Sequence, residues 1–434
     1  MNRAPLPDQL PYRFQAPRLS PFWVSTSRLL VRYLQRRVQW LREFEFSGLD
    51  HLRPLIGRGD GILITPNHPD FSDPGVMFEM SRRVGRSFCY MAAYQVFAGN
   101  AGLRRFLLPR LGVFPVDREG ADRASYSAGL DILAKAQHPL IIFPEGEIYH
   151  LADRLTPLRE GAAAMAVSAS KKLVAQGKTV WIVPAAIKYR FLDGYDPLPD
   201  LHELMDDLEA RFTWSVVPGR SLMDRMYRYA EGLLTLKELE YLDAPRGGPL
   251  KGRIGDLLAH ILDGMEGRYQ IAHRDEPAPV RVKELRRACL KGLADPQTTP
   301  DQKSKLRRDL DDLFLAIQLF SYPGDYVREC PTVERLAEIL TKFEQDALRV
   351  NQPAPRSPRK AVVRLGEPIN VGCRLVPKAR SHGLASCLTA ELETRIQSLL
   401  DEIGPGRPLP EAMINPVRGA DPASAQLLPI ETLG

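Results

Sequence analysis

A histidine and an aspartate stand five residues apart in Asn67-His68-Pro69-Asp70-Phe71-Ser72-Asp73, just after the apolar run Gly61-Ile62-Leu63-Ile64-Thr65. An imidazole oriented through one nitrogen by a carboxylate can take a proton from a hydroxyl with the other. That chemistry needs a hydroxyl and an electrophile nearby. On a continuous helix five residues turn through about 500°, which leaves the two side chains about 140° apart. Pairing therefore requires a turn or an irregular helix start, and Pro69 and Pro74 favour one. Each residue also has a plainer reading. Asp73 before Pro74 fits a helix N-cap, and His68 fits a satisfied structural histidine.

Three further segments put functional residue types at strand ends. Gly112-Val113-Phe114-Pro115-Val116-Asp117-Arg118 ends in a cation whose planar fork suits a phosphate or carboxylate, or else pairs with Asp117 at the surface. Leu140-Ile141-Ile142-Phe143-Pro144-Glu145-Gly146 ends in a carboxylate and a glycine that permits close backbone approach to a ligand, or in a plain turn with an exposed Glu. Trp181-Ile182-Val183-Pro184-Ala185-Ala186 is an apolar strand whose proline suggests an edge position. Ligands of open α/β sheets bind at the carboxyl ends of strands.

The elements that must position these residues read as α/β. Strands are expected at Glu43–Ser47, Gly61–Thr65, Ser87–Ala92, Val113–Val116, Pro139–Phe143 and Thr179–Tyr189. Helices are expected between them at Pro74–Val84, Ala101–Arg110, Asp122–Ala136 and Glu160–Ala175. That alternation implies a mixed, mostly parallel sheet flanked by helices. Residues 200–350 then read as almost wholly helical, with Pro353–Pro358 as a linker, a further strand over 361–369 and a helix at Leu388–Ile403. The divisions expected are a basic N-terminal segment (1–42), a first α/β part (43–196), a mainly helical insertion (197–357), a final strand and helix of the α/β domain (358–405) and a Pro-rich tail (406–434).

Net charge is +6, but residues 1–42 hold eight arginines against one acid, Asp8. An anionic partner, membrane surface or nucleic acid, fits such a concentration. A helix capped by Ser20 or Ser25 and running to about Leu41 would set Trp23, Leu30, Leu34, Val38 and Leu41 on one face and Arg28, Arg32 and Arg36 on the other. Such a helix can lie on a bilayer or pack on the domain, or do both at a membrane-facing rim. No apolar run is long enough to span a bilayer, and Pro5, Pro7, Asp8, Pro11 and Arg13 interrupt any signal-peptide core. The five cysteines lack CxxC spacing, which argues against a zinc site and suits a reducing compartment.

Some patterns lead nowhere. Gly177-Lys178-Thr179 lacks the upstream glycine of a P-loop, where Lys172 stands. His273-Arg274-Asp275 has no accompanying kinase motifs. His150 and Asp153 read as a loop pair.

In order and separation, NHPDFSD, GVFPVDR, FPEG and VPAAI closely resemble the glycerophospholipid acyltransferase family, which includes glycerol-3-phosphate and lysophosphatidic acid acyltransferases. The resemblance covers residues 43–190 and is expected to resume at 361–403. It implies that His68 is the general base and Asp73 its orienter. The hydroxyl of glycerol-3-phosphate or a lysophospholipid, 1-acylglycerol-3-phosphate first among them, would attack the thioester of acyl-CoA or acyl-carrier protein without an acyl-enzyme. Arg118 would hold the acceptor phosphate, Glu145 and Gly146 would line the acceptor site, and Pro184 would shape the acyl side. The resemblance implies no metal and no bound cofactor, because the acyl donor is a co-substrate. The expected location is cytoplasmic, peripheral to the inner face of the membrane, with no nucleic acid bound.

One departure stands out: the family continues FPEG with Thr-Arg-Ser, whereas this chain has Glu147-Ile148-Tyr149. A cation expected beside the phosphate is replaced, and Arg154 or Arg159 is the candidate substitute. The alternatives are an acyltransferase or transacylase for another lysolipid, and a non-catalytic membrane-associated protein that uses the helical insertion for partners.

Overall fold

The computed structural model describes residues 12–97, 101–118, 120, 122–215, 217–271, 275–375 and 381–415. One eight-stranded sheet organises the chain: β1 (Leu41–Ser47), β2 (Gly61–Pro66), β3 (Cys89–Ala93), β4 (Val113–Val116), β5 (Leu140–Ile141), β6 (Val180–Phe191), β7 (Arg359–Leu365) and β8 (Ile369–Asn370). The spatial order is β1-β7-β6-β2-β5-β3-β4, and β8 pairs with β6. All pairings are parallel except those that β6 makes with β7 and β8. The α/β expectation holds: the sheet is mixed and mostly parallel, with flanking helices and a large helical region after the first strands.

Burial follows position. Every residue of β2 is buried, as a central parallel strand requires. In β7, buried and part-exposed residues alternate. One face of the sheet packs Leu55, Met77 and Met80 against Ile64 and Val183. The other packs Met165 and Leu173 with Leu392, Ile396 and Leu400 from the Ser381–Ile403 helix.

The helices Leu198–Arg211, Leu222–Leu242, Leu250–Tyr269, Ala278–Ala294, Pro300–Phe320 and Val333–Ala347 build a third core around Leu257, Leu285, Leu313 and Leu340. They fill the stretch that the sequence marks as almost wholly helical. Tyr149 and Leu151, from the loop after β5, are buried in this same core. His273 and Arg274 lie outside the described residues.

Two expectations need correction, the end of the first helix and the edge position of β6. The N-terminal helix spans Pro21–Arg37, and Leu41 belongs to β1, where it is fully buried. The domain side of that helix is not its apolar stripe. Val24, Ser27 and Gln35 face inward, while Leu30, Leu34 and Val38 are 51%, 40% and 56% exposed. Finally, β6 is not an edge strand. Pro184 sits between the stretches of β6 that pair with β7 and with β8. There Gly366 N–H donates to Pro184 O at 2.9 Å, and the proline's missing N–H falls where the β7 ladder has ended.

Candidate functional site

The segment between β2 and the Asp73–Val84 helix is a tight turn, closed by Asp73 N–H donating to Asp70 O at 3.2 Å. Ser72, not Asp73, is the N-cap, so Asp73 is the first helical residue with Pro74 behind it. This turn removes the angular separation that a continuous helix would impose. His68 Nδ1 lies 2.7 Å from Asp73 Oδ2, with the carboxylate fully buried and the imidazole 16% exposed. Asp70 N–H also donates to Asp73 Oδ2, at 3.0 Å, and the Tyr189 hydroxyl donates to Oδ1. Both carboxylate oxygens are therefore engaged, Oδ2 by His68 and Asp70 and Oδ1 by Tyr189.

The imidazole is fixed on its other sides as well. Its ring stacks on Phe143 with centroids 4.1 Å apart and planes 22° apart. Its backbone N–H donates to Glu145 Oε1 at 2.6 Å. Asn67, one residue earlier, donates to Ile187 O at 3.0 Å and accepts from Ile187 N at 2.7 Å, which pins the end of β2 to β6. With Nδ1 held by Asp73, the proton sits on Nδ1, and Nε2 carries the lone pair available to a substrate hydroxyl.

Burial raises the affinity of Asp73 for a proton, and the net shift is upward despite the hydrogen bonds from His68 and Tyr189. Asp70 moves the other way. Burial disfavours its charge too, but Arg359 and Ser72 outweigh that and hold it well below the ordinary carboxylate range. Arg359 Nη1 donates to Asp70 at 2.9 Å, and its guanidinium lies 4.7 Å over the Tyr189 ring. Tyr189 on β6 and Arg359 on β7 thus brace the two aspartates of the turn. Sequence reasoning named neither. Asp70 stood inside the quoted motif, but no local signal marks its partner.

Glu145 is buried and turned away from solvent. It accepts from His68 N–H and from the backbone and hydroxyl of Thr156. Burial pushes its pKa up against these three hydrogen bonds. It buttresses the histidine backbone rather than presenting a free carboxylate. Gly146 takes φ +78°, and a Cβ there would come within 2.5 Å of Arg159 Nε. Only glycine tolerates both constraints.

Arg118 donates to Gly146 O and pairs with Glu147 at 2.9 Å. Arg154 points elsewhere, to Asp325 at 3.2 Å and to Glu329. His150 and Asp153 do not pair with each other. His150 bonds Gln345 at 2.9 Å, with its pKa pushed down by burial to about 4. Asp153 takes Lys188 and Arg335. Pro184 lies in the buried floor of the sheet opposite Thr65. Among the described residues no cluster of three or more His, Cys, Asp or Glu forms a ligand set for a metal ion.

The arrangement is a buried carboxylate, an oriented imidazole with one nitrogen to spare, and two arginines around a glycine-bearing strand end. All stand at the carboxyl edge of β2, β4 and β5. The model of the family described as Acyltransferase matches residues 43–188, which include His68, Asp73, Arg118, Glu145, Gly146 and Pro184. No curated protein sequence matches the chain.

Proposed function

We propose that this chain, whose residues 43–188 match the Acyltransferase family model, transfers a fatty acyl group from a thioester to a hydroxyl of glycerol-3-phosphate or a lysophospholipid. The observation that carries this reading is the His68 Nδ1 to Asp73 contact of 2.7 Å, which leaves Nε2 as the base. His68 takes the acceptor's hydroxyl proton while the oxygen attacks the thioester carbonyl. As the tetrahedral intermediate collapses, the C–S bond breaks, and the proton returns from His68 to the leaving sulfur. An ester and a free thiol result, with no acyl-enzyme. Asp73 stabilises the imidazolium formed on the way. A positioned base of this kind contributes about 10²–10⁴ in rate.

The acyl thioester, acyl-CoA or acyl-carrier protein, is a co-substrate, and no cofactor enters the scheme. Arg118 and Gly146 belong to the acceptor side, with Glu145 as the support behind them.

The reading places the enzyme on a bilayer surface, where long-chain substrates reside. No helix among the described residues is long and apolar enough to cross a membrane. The Pro21–Arg37 helix instead presents an outward apolar stripe. Phe22, Leu29 and Tyr33 are 66%, 80% and 60% exposed, beside Leu30 and Leu34. Leu103 and Phe106 of the Ala101–Arg110 helix continue the patch, joined through the Trp23–Phe106 ring contact at 5.3 Å. Arg28, Arg32, Arg36 and Arg37 border it. Exposed apolar residues flanked by cations suit the boundary between acyl chains and anionic headgroups.

Incubating the purified protein with a labelled long-chain acyl thioester and a panel of lysolipids tests the activity. A labelled ester product supports it, and no transfer to any acceptor refutes it.

A further inference from the structure

On the acyl-transfer reading, the Arg118–Glu147 pair stands on the acceptor side. Arg118 is the cation that would face an acceptor phosphate, yet its guanidinium is shared between Gly146 O and the Glu147 carboxylate at 2.9 Å. Glu147 is held there by its neighbours in the chain. Two residues on, Tyr149 is 2% exposed and packs edge-on against Phe320 of the helical region, with centroids 5.7 Å apart. Leu151 is buried in the same core. The loop that carries Glu147 is thus anchored from outside the α/β domain.

A second guanidinium reaches the same peptide. Arg159 Nε is the atom that a Cβ on Gly146 would strike. Its backbone N–H donates to Pro144 O at 2.8 Å, which holds this segment against the strand end. No ion pair involves the Arg159 side chain among the described residues. The remaining carboxylate nearby, Glu145, is consumed by Thr156 and the His68 N–H. Two guanidiniums therefore converge on residue 146: Arg118 pairs with Glu147, and Arg159 makes no ion pair among the described residues.

Resting on the acyl-transfer reading above, we infer that Glu147 sets acceptor choice, and that the acceptor is a lysophospholipid with a singly charged phosphodiester rather than a phosphate monoester. A phosphodiester carries one negative charge, which the Arg159 guanidinium alone can meet. A monoester carries close to two at neutral pH, because its second pKa is about 6. To bind with both arginines it must displace or approach Glu147, and like charges at that distance oppose it. In a zwitterionic headgroup, the ammonium beyond the phosphodiester would meet the Glu147 carboxylate, which is 35% exposed. Arg159 would be the main phosphate contact, and Arg118 would be held back by Glu147.

The test compares kcat/KM for 1-acylglycerol-3-phosphate with that for lysophosphatidylethanolamine and lysophosphatidylglycerol, in the wild type and in Glu147→Gln. The wild type is expected to prefer both diesters. Glu147→Gln is expected to move the monoester-to-diester ratio about tenfold toward the monoester, the scale of one hydrogen bond to a charged group. A wild type that prefers the monoester, or a ratio unmoved by Glu147→Gln, overturns the inference.

Binding separates this claim from the catalytic one. Short-chain forms of the same acceptors are titrated calorimetrically into His68→Ala protein, with and without Glu147→Gln. A diester preference that Glu147→Gln relaxes supports the inference even if no acyl transfer is ever seen. Binding without preference in both proteins, or no binding, refutes it even if transfer occurs.

Discussion

Asp70 and Arg359 stand 289 positions apart in the chain and form an ion pair at 2.9 Å. The whole helical region lies between them in sequence. The turn that carries His68 is therefore completed by β7, a strand added after that region. Through Tyr189, over whose ring Arg359 lies, the same guanidinium also backs Asp73.

Replacing Arg359 by Met should leave Asp70 as a buried, unpaired carboxylate. Removing one partner of a buried pair costs about 3–5 kcal/mol. Asp70 has a depressed pKa in the folded protein. Its contribution is therefore fully present above the unfolded carboxylate pKa of about 4, and is lost as pH falls toward the folded value. Denaturant melts of wild type and Arg359→Met should differ most at neutral pH and converge as pH drops below about 4. Equal stability at neutral pH would show that the pair contributes nothing.

Tyr189→Phe removes one hydrogen bond to the Asp73 carboxylate and little else. Asp73 already has a raised pKa, and the Tyr189 bond works against that rise. Losing it should push the Asp73 pKa higher still. Because the base needs an ionised orienter, the acidic limb of kcat/KM should move to higher pH, and activity at neutral pH should fall about tenfold. An unchanged pH profile would mean that Tyr189 only fills space.

The outward stripe of the N-terminal helix makes the membrane claim separable from folding. Leu30→Glu with Leu34→Glu alters residues that touch solvent, so the melting temperature should stay within a few degrees. Co-sedimentation with anionic vesicles should drop by about tenfold or more. Wild-type binding should also weaken with added salt. Deleting residues 1–42 is a poorer test, because it also removes the buried Leu41 of β1 and the Gln35 bond to Gly75 O at 2.9 Å. Undiminished vesicle binding by the double variant would assign the stripe another role.

The regular parts of this fold were legible because periodicity is local. β2 and β6 announced themselves as apolar runs, and the helices between strands by their spacing. β5 shrank to two paired residues because the chain turns away at Phe143 to place Glu145 under His68. The apolar stripe of the N-terminal helix suits a bilayer or the domain equally by pattern, and only the fold shows that contact with the domain is made by Val24, Ser27 and Gln35. The His68–Asp73 pair was visible from types and spacing, whereas Arg359 and Tyr189 were not. No pattern in a sequence marks which distant cation will meet a given aspartate. The Glu147-Ile148-Tyr149 departure was visible too, but its cause needed Tyr149 to be seen inside the core of the helical region.

The central claim is that His68, oriented by Asp73, is the base of an acyl transfer. Initial rates of ester formation from a long-chain acyl thioester should be compared for wild type, His68→Ala, Asp73→Asn and the double variant, each verified as folded by its melting transition. The account predicts losses of about 10²–10⁴ for each single variant, and a double variant little worse than His68→Ala, since the two act as a unit. A folded His68→Ala protein that retains wild-type transfer rates would contradict it.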